Sequence, residues 1–419
     1  MAKKTTAKKE GQLPDPLELV TKMDDKSEIL SDSIYSNIPD WIQCGSYICN
    51  ACISGSIFRG APCGRILTLA GENSTGKSFL ACSIMREAQK KGYTPIYLDS
   101  EGGMTKDFFA RIGGDPTKII VRQVNTITEV SHIILNLLDK LIEQQEEYGD
   151  HNKYAICLDS LANLSSTKEV EDIADGTVKR DMTKAQEIRQ MFRVISVKLA
   201  TTGTLMVVCN QVYSSLNPYG SPTAMGGGGG IAYNSSATLE LSACKLVDKQ
   251  NDQAAEKQVN STDVIKTGVL VKIRPKKSRF VIPRVVSIMI PFYKKINPYF
   301  GLDAYMNWDN SGVCRGNIIT VKEYEKLSDS DKQKVHIFEH NGETKYAIEK
   351  DTARNIVVAH LGEAVPITDF FTEKVFTEDF LQKFDEEVIR PAFELPNQNA
   401  FDDIKEIEDM IEMGENKES

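Results

Sequence analysis

One eight-residue stretch constrains the fold of this chain more than any other, namely G-E-N-S-T-G-K-S at residues 71–78. The apolar run R-I-L-T-L-A at residues 65–70 precedes it and is typical of a buried strand. A helical pattern begins at Lys77. A strand, then G-x-x-x-x-G-K-[ST], then a helix is the arrangement of a phosphate-binding loop, or P-loop. The sequence therefore predicts an α/β fold that binds a nucleotide.

The chemistry of phosphate binding explains the residue types in this loop. Backbone amides and the N-terminus of the following helix surround the phosphates, and glycines permit the tight backbone path. Lys77 can reach the β- and γ-phosphates, and the Ser78 hydroxyl can ligate Mg²⁺. The residues expected to hold ATP and Mg²⁺ here are Gly71, Glu72, Asn73, Ser74, Thr75, Gly76, Lys77 and Ser78.

Composition indicates a packed protein larger than one ordinary domain. The chain has 419 residues, of which 41% are hydrophobic. It has no run of about 18 apolar residues, the length that a membrane-spanning helix needs. Residues 1–9 lack the apolar segment of a signal peptide. We therefore expect a cytoplasmic protein with no membrane partner.

Nine cysteines bear on the redox compartment and on metal binding. Because some of them fall in apparent core strands, they indicate reduced thiols. Cys44, Cys49, Cys52 and Cys63 raise the alternative of a zinc site. Only Cys49-x-x-Cys52 has ligand spacing, and no second such pair accompanies it. Buried thiols are the favoured interpretation, and metal binding stays open.

Strands and helices alternate after the P-loop, which predicts a mostly parallel sheet. Predicted strands lie at 66–70, 93–99, 154–158 and 205–209, and predicted helices at 77–91, 127–144 and 181–200. Three further β-like runs at 237–246, 269–274 and 284–290 predict an antiparallel extension.

Three of these strands end in polar side chains that suit nucleotide hydrolysis. Asp159 ends the strand at 154–158 and can support the Mg²⁺ shell. Glu101 follows the strand at 93–99 and can orient or deprotonate the attacking water. Gln211 follows the strand at 205–209 and can sense the γ-phosphate. Ligands bind at the carboxyl ends of the strands in doubly wound folds.

The P-loop and these three strand ends, in this order, resemble the RecA-type recombinase core, with details most similar to the phage UvsX recombinases. The resemblance covers roughly residues 40–300. It implies that Glu101 is the catalytic base, that Asp159 supports the metal and that Gln211 relays the nucleotide state. It also implies that an aromatic ring, Phe108, lies against adenine; a core phenylalanine is the alternative.

The resemblance extends to two DNA-binding loops. The segment after Asp159 is similar to the first loop of the UvsX recombinases and offers Lys168, Lys179 and Arg180 as phosphate contacts. The second loop follows Gln211 and offers Tyr213 and the glycines Gly226, Gly227 and Gly228, whose backbone amides can approach phosphates. An ordinary solvated loop and a flexible linker are the respective alternatives.

A cationic pair, Lys277 and Arg279, lies beyond the strand at 269–274. It is similar to the pair that family members insert into the ATP site of the neighbouring protomer, where two cations stabilise the charge of the transition state. The implied site is therefore completed in trans. A solvated or DNA-facing basic patch is the alternative.

Together these features predict four parts. They are an N-terminal arm and docking segment (1–40), a RecA-like core with the DNA-binding loops (41–300), a small α-rich C-terminal domain (301–395) and an acidic tail (396–419). The net charge of −9 argues against a uniformly basic DNA-binding surface. The tail is either a solubilising end or an electrostatic mimic of nucleic acid that competes for a basic groove.

We predict a DNA-dependent ATPase that forms helical filaments on single-stranded DNA and pairs it with homologous duplex. The implied partners include a single-strand-binding protein and a recombination mediator, in the host cytoplasm if the chain is phage-encoded. The main alternative is a hexameric RecA-fold helicase. A regulatory protein that uses ATP only for assembly is the second.

Overall fold

A computed structural model describes the fold of this chain at residue 33 and at residues 37–176, 183–214, 223–225, 230–248, 266–292 and 294–394. The described strands, in chain order, are β1 (Trp41–Ile42), β2 (Ala61–Pro62), β3 (Ile66–Gly71), β4 (Thr94–Asp99), β5 (Ile120–Gln123), β6 (Tyr154–Asp159), β7 (Leu205–Ser214), β8 (Thr223–Met225), β9 (Ala237–Asp248), β10 (Lys266–Ser278), β11 (Val286–Pro291), β12 (Val313–Ile319), β13 (Val335–His340), β14 (Glu343–Glu349), β15 (Asn355–Val358) and β16 (Glu363–Pro366).

The described α-helices are α1 (Tyr47–Ser54), α2 (Lys77–Lys90), α3 (Lys106–Arg111), α4 (Ile127–Tyr148), α5 (Thr167–Ala174), α6 (Lys184–Thr202), α7 (Gly230–Asn234), α8 (Trp308–Ser311), α9 (Val321–Glu325), α10 (Asp329–Lys332), α11 (Ile367–Phe370), α12 (Glu378–Phe384) and α13 (Arg390–Phe393).

The central sheet has the strand order β11-β10-β9-β3-β7-β6-β4-β5 among the described residues, with β8 paired to β7. Strands β9, β3, β7, β6, β4 and β5 run parallel to one another. Strands β10 and β11 continue the sheet in antiparallel pairing. The α/β fold with a mostly parallel sheet and an antiparallel extension is therefore confirmed.

Both faces of this sheet are covered, which explains its nearly continuous apolar strands. In β6, Cys157 packs into the apolar cluster that contains α2, whereas Ile156 and Leu158 pack into a second cluster with α4 and α6. Neighbouring side chains alternate between the two faces of a strand. Because β3 lies between β7 and β9, the loop that follows it opens at the middle of the sheet edge.

Helix α4 shows how local sequence sets an element. The Thr126 hydroxyl accepts a hydrogen bond from the backbone amide of Glu129 at 3.1 Å, which caps the first turn. The Glu129 carboxylate accepts from the Asn125 amide rather than from the cap residue. Gly149, at φ 72°, ends the helix in a left-handed conformation. The helix was predicted correctly but extends four residues beyond the predicted end at 144.

The C-terminal region corrects one expectation, because it is mixed α and β rather than simply α-rich. It contains an antiparallel sheet of five described strands in the order β13-β14-β12-β15-β16. Its strands are four to seven residues long, and four of the five carry charged side chains. Such short strands give only a weak alternating pattern, which does not distinguish a strand from a short amphipathic helix.

The end of the described chain returns to the core. Asp385, fully buried, accepts hydrogen bonds from the Ser56 hydroxyl and the Ile57 amide, each at 2.7 Å, and from Arg390 Nε at 3.0 Å. The Ile282 amide donates to the Phe393 carbonyl at 2.8 Å. These contacts tie the C-terminal region to the segment after α1 and to the segment between β10 and β11.

The nine cysteines are free thiols. Cys44, Cys49, Cys52 and Cys63 are buried in the apolar cluster around α1, and burial raises the pKa of Cys52 well above its ordinary value. Within the described ranges, no group of three or more His, Cys, Asp and Glu side chains is placed to hold a metal ion. None of the described helices is long and apolar enough to cross a membrane.

Candidate nucleotide-binding site

The P-loop joins β3 to α2, and its backbone requires glycine at both ends. Gly76, at φ 88°, precedes the first residue of α2, and a Cβ there would lie 2.3 Å from Cδ1 of Ile290. A Cβ on Gly71 would lie 2.5 Å from the carbonyl oxygen of Leu241. Side chains at either position would therefore displace the neighbouring strands or close the loop.

Lys77 lies across its own loop. Its Nζ donates to the carbonyl oxygens of Gly71 at 3.0 Å and Glu72 at 2.7 Å. Burial lowers the pKa of Lys77, while the nearby Cys209, Asp159 and Glu101 act in the opposite direction. The ammonium therefore lies at the mouth of the loop, where phosphate oxygens can replace the two carbonyls.

A cavity of about 780 Å³ opens beside the P-loop at the carboxyl edge of the sheet. Such a position is where α/β folds bind ligands. The sequence-predicted residues that line it are Asn73, Ser74, Gly76, Lys77, Ser78, Glu101, Phe108, Asp159 and Gln211. One cavity thus brings together the P-loop and all three predicted strand ends.

Glu101 is joined to two strands by hydrogen bonds. Its Oε1 accepts from the Ser160 hydroxyl at 2.8 Å and from Gln211 Nε2 at 3.3 Å. The residue is exposed to the cavity. A carboxylate held in this way can accept a proton from a water molecule.

Asp99, the neighbouring acidic residue, has a different environment. It is buried, and its carboxylate accepts hydrogen bonds from the backbone amides of Glu101, Gly102 and Met104 at 2.8–3.1 Å. All three bonds hold the loop that carries Glu101. Asp99 is therefore a structural anchor for the loop, and Glu101 is the carboxylate available for chemistry.

Asp159 ends β6 at the floor of the cavity and is nearly buried. Its Oδ2 accepts a hydrogen bond from the phenol of Tyr97 at 2.5 Å. Ser78 also lines the cavity. Carboxylate and hydroxyl oxygens, with water, are the ligands that Mg²⁺ prefers, so this donor set fits the metal.

Phe108 lies on α3 and packs edge-to-face against Phe79 of α2, with ring centroids 5.8 Å apart. It is partly buried and lines the cavity. Pro291 and Phe292, at the end of β11, also line the cavity and were missed. The end of β11 reaches the binding edge because two successive antiparallel pairings make β11 parallel to β3, and no local pattern in the sequence specifies those pairings.

Lys277 and Arg279 lie away from this cavity. Lys277 pairs with Thr238 near the start of β9, and β9 pairs with the start of β3. Thr238 in turn pairs with Thr68, three residues (about 10 Å) before Gly71, and two strand spacings (about 10 Å) separate β10 from β3, so Lys277 lies about 14 Å from the start of the P-loop of its own chain. The Nζ of Lys277 donates to the carbonyls of Ala232 and Tyr233 in α7, both at 2.8 Å. Burial and the charge of Arg279 lower the pKa of Lys277.

The predicted DNA contacts are only partly described. Lys168 is exposed on α5, and Tyr213 is 52% exposed on β7, where its hydroxyl donates to Gln211 Oε1 at 2.9 Å. The remaining predicted contacts lie outside the described residues; they are Lys179, Arg180, Gly226, Gly227 and Gly228.

Helix α6 carries two cations that the sequence analysis missed. Arg189 and Arg193 are exposed, and neither has an ion-pair partner within the described part of the chain. Their i, i+4 spacing places them on one face of the helix. That spacing, on a helix directly after the predicted first loop, was the available signal.

The chain is similar in sequence to one described family and to individual known proteins. The family described as "RecA N-terminal domain" matches residues 20–281. The "Recombination and repair protein" of Enterobacteria phage T4 is 27% identical over 275 residues, which cover 65% of each protein. "Protein RecA" of Lactobacillus delbrueckii is 29% identical over 220 residues, or 52% of this chain and 59% of that protein. The chain therefore spans less than two thirds of the length of these first relatives.

Proposed function

The chain belongs to the RecA family, since the family match covers more than half of its residues, and from this premise we propose an ATP-dependent homologous recombination protein. The protein forms filaments on single-stranded DNA and catalyses homologous pairing and strand exchange. The observation that carries the proposal is the assembly of Lys77, Glu101, Asp159 and Gln211 around one cavity.

In the proposed hydrolysis, Glu101 orients and deprotonates the attacking water. Its Oε1 already accepts two hydrogen bonds, so the carboxylate has a fixed position relative to the strand ends. Lys77 balances the charge of the phosphates after leaving its two carbonyl partners. Ser78 and Asp159 would hold Mg²⁺, which would neutralise charge on the phosphate oxygens when bound. Gln211 links the site to β7 and so to the predicted second DNA loop.

The proposed assembly of several copies of the chain rests on the distance between two cations, Lys277 and Arg279, and the nucleotide cavity of the same chain. A separation of about 14 Å exceeds the length of a lysine side chain, and the Nζ of Lys277 is bonded to α7, so in this proposal Lys277 and Arg279 act on the nucleotide of another copy. A head-to-tail contact of this kind generates a ring or a helical filament. This supports ATP hydrolysis at the interface between protomers.

The DNA surface in this proposal combines Lys168, Tyr213, Arg189 and Arg193 with the predicted loop residues outside the described ranges. These local cations are sufficient for DNA binding even though the whole chain carries a net charge of −9, because binding depends on the phosphates neutralised at the contact. Each neutralised phosphate of a single strand contributes about −0.7 to the slope of the log binding constant against log salt concentration. Exposed tyrosine adds stacking with bases. Duplex DNA, a single-strand-binding protein and a mediator are the further proposed partners, and host cytoplasm is the proposed location.

The decisive experiment measures ATP hydrolysis with and without single-stranded DNA and images the same samples by negative-stain electron microscopy. The variants are wild type, Lys77→Ala and Lys90→Ala; Lys90 lies on the same helix with an exposed side chain and serves as the matched control. We expect DNA-stimulated hydrolysis and helical filaments for wild type and Lys90→Ala, and no hydrolysis for Lys77→Ala. Closed rings would favour the helicase, and DNA-independent ATP binding would favour the regulatory protein.

A further inference from the structure

Tyr97 is a buried polar residue beside the cavity that the proposed hydrolysis does not use. It lies on β4 and is only 2% exposed. Its phenol donates to Oδ2 of Asp159 at 2.5 Å, across to β6. Hydrogen bonds to an ionised acceptor are short and strong, so this contact fixes one carboxylate oxygen.

The register of the sheet makes this contact possible. Strand β4 pairs with β6 so that Tyr97 lies beside Cys157, and Asp99 beside Asp159. Tyr97 therefore reaches diagonally forward by two residues to the strand end. The contact depends on both the phenol and this register.

Tyr97 belongs to the same buried cluster as the helix that carries Ser78. Cys82, on α2 and one turn after Ser78, is a member of that cluster, as is Cys209 on β7. Tyr97 thus shares a cluster with the helix of one predicted metal-binding side chain and is hydrogen-bonded to the carboxylate of the other.

Tyr97 reaches Asp159 from the buried side of the sheet. Tyr97 belongs to the buried apolar cluster, whereas Asp159 lines the cavity. The hydrogen bond to Oδ2 therefore holds the carboxylate from outside the cavity.

We propose that Tyr97 is a positioning residue that orients Asp159 for the Mg²⁺ bound with nucleotide. This inference rests on the proposed nucleotide and metal site. A hydrogen bond behind a metal ligand typically contributes about 10- to 100-fold in metal affinity, because it holds the ligand in one orientation. Removing the phenol hydroxyl frees the carboxylate to rotate and leaves a buried acceptor unpaired.

The chain offers a matched control in Tyr93. Its ring is also buried, at 6% exposure, and its hydroxyl donates to Oδ2 of another aspartate, Asp40, at 2.8 Å. Tyr93 lies immediately before β4, four residues from Tyr97, and therefore about 13 Å further from the nucleotide edge. Tyr93→Phe removes the same type of bond from the same sheet without touching the cavity.

The experiment titrates Mn²⁺, a paramagnetic substitute for Mg²⁺, into protein with a non-hydrolysable ATP analogue and follows free Mn²⁺ by electron paramagnetic resonance. Circular dichroism and thermal unfolding verify that each variant is folded. We expect Tyr97→Phe to weaken Mn²⁺ binding by about 10- to 100-fold. Tyr93→Phe binds as wild type does. In hydrolysis, Tyr97→Phe raises the half-saturating Mg²⁺ concentration more than it lowers kcat.

A double-mutant cycle with Asp159→Asn identifies the route of the effect. If Tyr97 acts through Asp159, then Tyr97→Phe changes Mn²⁺ binding little in the Asp159→Asn background. Equal effects of Tyr97→Phe in both backgrounds would overturn the proposal, as would wild-type affinity in Tyr97→Phe. Failure of the wild type itself to bind Mn²⁺ with the analogue would overturn the metal site and this inference together.

Discussion

Gln211 donates from Nε2 to Oε1 of Glu101 at 3.3 Å, which joins two strand ends that are 110 residues apart in the chain. The same Gln211 accepts from the Tyr213 hydroxyl at 2.9 Å through its Oε1. A continuous set of hydrogen bonds therefore runs from an exposed tyrosine to the proposed catalytic carboxylate. A displacement of β7 would therefore alter the position of Glu101.

Replacing Gln211 tests this link. We expect Gln211→Ala to lower DNA-stimulated hydrolysis by about tenfold or more, because Glu101 loses a hydrogen bond that fixes its position. Steady-state kinetics with increasing single-stranded DNA is the measurement. Gln145→Ala, at the exposed end of α4, is the control and should behave as wild type. Unchanged stimulation in Gln211→Ala would show that β7 does not transmit the signal.

Substitutions of the two neighbouring acidic residues, Glu101 and Asp99, should affect the protein in different ways. Glu101→Gln keeps the fold and nucleotide binding but slows hydrolysis by about 10²- to 10⁴-fold, because the general base is lost. Asp99→Asn instead lowers the unfolding temperature, since three backbone amides lose a charged acceptor. Fluorescent-nucleotide binding, kcat and thermal unfolding of both variants separate the two roles. Loss of nucleotide binding in Glu101→Gln would contradict the assignment.

Much of the nucleotide core is predictable because its signals are local. The P-loop, the strand before it and the cap at Thr126 are each encoded within a few neighbouring residues. Alternating strands and helices then restrict the sheet to parallel pairing, which brings Glu101, Asp159 and Gln211 to one edge.

Features that depend on register or on weak patterns were not predictable. The contact between Tyr97 and Asp159 requires the alignment of β4 with β6, and no pattern within either strand specifies that alignment. The position of Phe292 depends on the pairing of β10 with β11. The five-stranded C-terminal sheet was missed because charged residues interrupt the alternation of its short strands.

Mixing two inactive variants tests assembly in trans. Lys77→Ala lacks a working P-loop, and the double variant Lys277→Ala, Arg279→Ala lacks the cations for its neighbour. Each alone should be inactive with DNA. In an equal mixture, about a quarter of head-to-tail interfaces join an intact P-loop to intact cations, so partial activity returns.

The control mixture contains Lys77→Ala and wild type at the same ratio, which sets the activity expected from dilution alone. Recovery should depend on protein concentration, because it requires contact between copies. If the mixture stays inactive while both variants still form filaments, Lys277 and Arg279 do not act on a neighbouring nucleotide.

Asp385 should contribute strongly to stability. Asp385→Ala leaves the Ser56 hydroxyl and Ile57 amide without their buried acceptor and removes the partner of Arg390. We expect a loss of about 3 kcal/mol or more in the free energy of unfolding. Urea unfolding is the measurement, and Asp379→Ala, at an exposed position of α12, is the control. A loss equal to that of the control would mean that the C-terminal region is not held by this contact.

Asp40 gives the stability of the protein a defined dependence on pH. Burial alone raises the pKa of this carboxyl, but hydrogen bonds from Lys91 and Tyr93 outweigh it, so the pKa lies below its ordinary value of 3.8. The unfolded state therefore takes up the proton first as the pH falls, and its proton uptake destabilises the fold. The contribution of Asp40 is fully present well above pH 3.8 and is lost as the pH falls through the folded-state pKa.

We expect the stability difference between wild type and Asp40→Asn to be constant near neutral pH and to shrink in this acidic window. Urea unfolding across the pH range measures it, with Asp150→Asn as the control, because Asp150 is exposed and lines the same surface depression as Asp40, remote from the nucleotide cavity. A difference that stays constant into the acidic window would mean that the bonds from Lys91 and Tyr93 do not stabilise the ionised carboxylate.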